Sequence, residues 1–80
     1  FSTGRREGNN WFGEGSVCEG VVENCSIGPG AIVSSGARLS DSVILDGAYI
    51  GEGAILNSCI VGRGATVPAN SDVSNKIIAD

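Results

Sequence analysis

Three kinds of residue in this chain have side chains or spacing that could do chemistry. The cysteines Cys18, Cys25 and Cys59 could close a disulfide or supply thiolate ligands to a metal. A zinc site needs about four clustered ligands, and here there is no His and the cysteines are not clustered. No metal ligand is assigned. The glycine-rich strings GEG and GRG have the composition of a phosphate cradle, but such a loop works through backbone donors at the start of a helix that follows it. No helical pattern follows either string, so no cofactor-binding residue is assigned. The carboxylates Glu14, Glu19, Glu23, Asp41, Asp46 and Glu52 are scattered along the chain and read as a solvated exterior. Without His, none of these groups titrates near neutrality as a general base would, and no catalytic residue is assigned.

The elements that must carry these residues follow from a repeat. Residues 22–38 read VENCSIGPGAIVSSGAR, residues 39–55 LSDSVILDGAYIGEGAI and residues 56–72 LNSCIVGRGATVPANSD, with VSNKIIAD closing the chain. The period is 17 residues. Large aliphatics recur at steps of five, six and six: Val22, Ile27, Val33; Leu39, Ile44, Ile50; Leu56, Val61, Val67; then Val73 and Ile78. Such steps match neither a helix nor a hairpin, so each aliphatic marks the same place on successive sides of a prism. Two positions earlier stand the small residues Ala31, Ala37, Ala48, Ala54, Ala65 and Ser71, which fit beside the large ones. Glycines fall between the sides, where the chain must turn. Coils stacked at ~4.8 Å let each strand pair in parallel with its copy one turn on. The fold expected is all-β: a parallel β-helix of triangular section with about four coils.

The repeat then decides the cysteines. Cys25 and Cys59 lie two coils apart with Ser42 between them, a separation of ~9–10 Å, whereas a disulfide needs Cα atoms within about 7 Å. They read as small buried core residues. Lys76 occupies the same column, which must open to water there. Cys18 lies in an irregular first coil, where FGEGSV (Phe12 to Val17) forms one hexad and CEGV breaks the step before Val22; it is expected to be a free surface thiol. Asp41 shares a turn position with Asn24, Ser58 and Asn75, short polar residues that bond the backbone locally.

Composition sets the outer bounds. Eighty residues allow one domain at most, and 41% hydrophobic content with only 5% aromatics predicts a thin aliphatic core. The division expected is an arm or linker over 1–10, which matches no copy of the repeat, and the β-helix over 11–80. The net charge of -4 comes from nine acidic and five dispersed basic residues, so neither nucleic acid nor a membrane is expected as a partner. No stretch approaches the roughly 18 apolar residues of a membrane span, and no signal-peptide pattern opens the chain; a cytoplasmic location is expected. The first residue is Phe1 and not Met, which fits a piece of a longer chain.

The residues immediately before the core aliphatics point outward, and one such column holds Ser26, Val43, Ile60 and Ile77, with Leu45 close by. A contiguous apolar row on one side is expected to be a contact surface. Val43, Leu45, Ile60 and Ile77 are therefore the interface candidates.

The aliphatic-Gly-x-x-small-x signature of IGPGAI, IGEGAI and VGRGAT resembles the hexapeptide-repeat family over roughly residues 12–80. That resemblance, and not the spacing, implies left-handed winding, an exception to the usual hand of parallel crossovers. The succession ENCSIGPGA, SDSVILDGAYIGEGA and LNSCIVGRGATVPA looks like the C-terminal β-helix of sugar-phosphate nucleotidyltransferases, of the glucose-1-phosphate adenylyltransferase and mannose-1-phosphate guanylyltransferase kinds. In that family a separate N-terminal domain holds the nucleotide loop and sugar-phosphate site, and none of its catalytic residues maps onto this chain. The resemblance implies an accessory role in a homo-oligomer: packing on the catalytic nucleotidyltransferase domain, oligomerisation and, in some members, regulation. A free-standing scaffold or assembly subunit is the alternative. An acyltransferase fragment is a third reading, disfavoured because that reaction uses a His.

Overall fold

The computed structural model describes residues 4–79. Its first coil is built from β1 (Arg5–Glu7), β2 (Asn10–Phe12), β3 (Val17–Cys18) and β4 (Val21–Glu23). The next holds β5 (Ser26–Ile27), β6 (Ile32–Val33) and β7 (Arg38–Ser40), followed by β8 (Val43–Ile44), β9 (Tyr49–Ile50) and β10 (Ile55–Asn57). A fourth holds β11 (Ile60–Val61), β12 (Thr66–Val67) and β13 (Asp72–Ser74), and β14 (Ile77–Ile78) begins another turn. Among the described residues there is no helix.

These strands stack into three sheets, one for each side of the prism. The first face runs β1-β2-β5-β8-β11-β14, the second β3-β6-β9-β12 and the third β4-β7-β10-β13. Every pairing is parallel except β1 with β2. The 17-residue period is the sheet register itself: Ile27 pairs with Ile44, Val61 with Ile78, and Leu39 with Leu56. Parallel pairing turns each sequence period into a column of like side chains. Ile27, Ile44, Ile50, Leu56 and Val61 are fully buried, with Ala31, Ala48, Ala54 and Ala65 beside them. Each Val, Leu or Ile so buried contributes about 1.5–3 kcal/mol.

The short side of each coil has its own turn chemistry. Asn24, Asp41, Ser58 and Asn75 adopt positive φ values of 56, 51, 55 and 55°, a conformation that short polar side chains tolerate. One such residue turns the corner, and its N–H bonds to the coil before: Asp41 to Glu23 O at 2.9 Å, Ser58 to Ser40 O at 2.9 Å and Asn75 to Asn57 O at 2.9 Å.

The first coil departs from the expected register. Phe12 pairs with Ile27 and Cys18 with Val33, an offset of 15, while Val22 pairs with Leu39 at the full 17. Two residues, Glu19 and Gly20, turn the corner that later coils turn with four, such as 34–37. The core position of β3 is therefore Cys18, not Val17, which faces out at 44% exposure. Cys18 is not the surface thiol expected: it is half-buried and packs against the core. Near the chain start, Arg5–Glu7, expected within an arm, is a strand that pairs antiparallel with β2. Asn10 finishes that end: its Oδ1 accepts the Cys25 N–H at 2.9 Å and its Nδ2 donates to Val22 O at 3.3 Å.

Candidate interaction surface

On a two-faced strand, the residue before each buried aliphatic points to solvent. On the first face these residues are Trp11, Ser26, Val43, Ile60 and Ile77, each paired in register with the next. Val43, Ile60 and Ile77 are exposed by 38%, 42% and 77%. Leu45, just after β8, is half-buried. The structure thus sets all four interface candidates along one sheet. The hairpin lengthens the row, because Arg6 pairs with Trp11. A side chain at Gly4 would collide with the Trp11 ring, so the Gly4 backbone lies tight against it.

Sequence reasoning missed a second apolar row. On the second face Val17, Ile32 and Tyr49 are exposed by 40–44% and stacked in register, with Thr66 completing the column. The signal was present, because Ile32 and Tyr49 precede the core residues Val33 and Ile50. Tyr49 Oη accepts a hydrogen bond from Ser34 Oγ at 3.1 Å, tying two coils together on this face. The third face has no such row: Arg38 and Asp72 interrupt Val21 and Ile55.

The interior thiols are held as core residues. Cys25, Ser42 and Cys59 share one column, all buried, and Lys76 follows them at an exposed position. All three cysteines are free. Ser42 Oγ donates to Ser40 O at 2.9 Å and accepts the Cys59 N–H at 3.2 Å. Cys25 Sγ lies 3.2 Å from Glu23 O and Cys59 Sγ 3.3 Å from Asn57 O. Burial pushes the Cys25 thiol up, which keeps it protonated and a weak nucleophile. Glu14, Glu19, Glu23, Asp41, Asp46 and Glu52 are exposed. Among the described residues, no group of three or more His, Cys, Asp or Glu is placed to hold a metal ion. What the geometry offers chemically is surface: two rows of exposed apolar side chains on a prism with an aliphatic core.

The family model described as GMPPB C-terminal domain matches residues 13–80. No curated protein matches the chain, and no solved structure does.

Proposed function

The chain belongs to the GMPPB C-terminal domain family, and from that membership we propose that it is the non-catalytic β-helix domain of a sugar-phosphate nucleotidyltransferase, serving oligomerisation and packing on the catalytic domain. Regulation of that domain through the same contacts is part of the proposal, as is a cytoplasmic location; among the described residues no helix is long and apolar enough to cross a membrane. The observation that carries the reading is the in-register row of exposed Val43, Ile60 and Ile77 on the first face. Contiguous apolar surface of this kind is unfavourable in water and marks a contact site. The second row, Val17, Ile32 and Tyr49, gives the domain a further side on which to pack.

The test is Ile60→Glu. Ile60 is exposed at 42%, so the fold tolerates the change, while a carboxylate in a desolvated contact does not. Sedimentation should show a lower mass for the variant than for the parent at equal concentration. An unchanged assembly, or a parent that is already monomeric, overturns the contact role.

A further inference from the structure

Beyond assembly through the first face, we propose that the second face docks a cationic amphipathic helix of another polypeptide, laid along the prism axis. The apolar half of the site is the in-register row of Val17, Ile32 and Tyr49, each exposed by 40–44%, with Thr66 at its far end. Coils repeat every ~4.8 Å and the turns of an α-helix every ~5.4 Å. One apolar side chain per helical turn therefore stays opposite one row residue over about three coils. The Ser34 hydroxyl, which donates to Tyr49 Oη at 3.1 Å, ties that ring to the coil before it.

Charge decides the chemistry of the occupant. The row itself is uncharged, but carboxylates stand at both edges of the face. Glu19 and Glu52 occupy the corners that follow β3 and β9, and Asp46 the corner that precedes β9, with its Oδ1 close over Gly28. All three residues are exposed. Arg63 precedes β12, at the Thr66 end of the row, so the acidic border frames the part that holds Val17, Ile32 and Tyr49. An apolar stripe with anionic borders is complemented by a helix whose apolar stripe has Lys or Arg on both flanks. A second copy of the chain does not supply those cations. In a two-fold pairing of second faces, the edge carrying Glu19 and Glu52 meets either itself or the other edge, with Glu52 against Asp46. An anionic membrane is repelled by the same border.

The probe is a fluorescently labelled synthetic helix of about 18 residues, long enough to hold helical structure, with a Leu stripe flanked on both sides by Lys. Its control carries Glu in place of each Lys. Anisotropy titrations with the full chain should show the Lys helix binding at least about tenfold tighter than the Glu helix, by a margin that narrows as salt is added. Ile32→Ser should weaken the Lys helix about fivefold through lost apolar contact, and Glu19→Gln combined with Glu52→Gln about threefold. Ile60→Ser, on the first face, should leave its binding unchanged. All four residues are exposed, so these variants keep the fold, which unchanged melting temperatures check. An unbound Lys helix, equal binding of the two helices, a silent Ile32→Ser, a silent Glu pair, or an equal loss with Ile60→Ser overturns the proposal. If Ile32→Ser instead lowers the assembly mass in sedimentation, a second copy occupies the face and the proposal fails. The contact role of the first face is decided separately, by Ile60→Glu.

Discussion

A thiol in the interior column keeps its proton because a thiolate there would lose its hydration. For Cys25, desolvation by burial is the largest influence and raises the pKa, outweighing the lowering effect of its backbone contacts with Ser42 and Glu23. Its pKa is raised above that of an ordinary thiol, so the unfolded chain releases this proton first as pH rises. The stability that depends on the neutral thiol is complete below pH 9.0 and declines above it. Denaturant midpoints measured from pH 8 upward should therefore fall, and less steeply in Cys25→Ala; parallel curves would refute the assignment. Ser16 gives a second residue-scale prediction. It stands in the small-residue column with Ala31, Ala48 and Ala65, and its buried Oγ has no hydrogen-bond partner. Ser16→Ala removes that orphan and should raise stability by about 1 kcal/mol, read as a higher denaturant midpoint. The column of Cys25, Ser42 and Cys59 was legible from the 17-residue offset alone. The place of Cys18 was not, because it depends on a corner of a different length.

That corner belongs to the scale of elements. Later coils use four residues between the second and third faces, and the first uses Glu19 and Gly20 alone. The short cut draws the backbones together: a Cβ on Gly20 would lie 2.5 Å from Ala37 O, the atom that accepts the Val21 N–H at 2.9 Å. Gly20→Ala should cost about 1–3 kcal/mol as an overpacked, backbone-bound contact. Equal thermal stability for parent and variant would show that the corner yields. The regular corners were readable in sequence because their requirement is local. A short polar residue or Gly at positive φ turns each of them, and Asn70, at φ 62°, stands where Gly36 and Gly53 stand in earlier coils. The hairpin of β1 and β2 was not readable, since FSTGRREGNN lacks the aliphatic pattern that marked the other strands. It forms because β2 already offers an unpaired edge, and an open edge recruits any strand that can reach it.

Across the whole molecule, the core columns and the outward apolar rows separate cleanly. Core columns set the fold, and the outward columns are free to vary without disturbing it. Ile60→Glu should therefore change assembly mass while leaving the melting temperature of the isolated protomer within a few degrees, because surface substitutions away from core features stay within about 0.5 kcal/mol. A large loss of stability would place Ile60 in the core instead. The sequence by itself determined the coil: its period, its three faces, its buried aliphatics and the outward row of Val43, Ile60 and Ile77. Each of these repeats, and parallel stacking converts repetition directly into columns. The tertiary structure alone decided the features that do not repeat: the 15-residue first coil, the strand β1 along its edge, and the place of Val17 at the head of the second apolar row. It also decided which turn residues share a corner with which face, because neighbours across coils are brought together by stacking and not by adjacency in the chain.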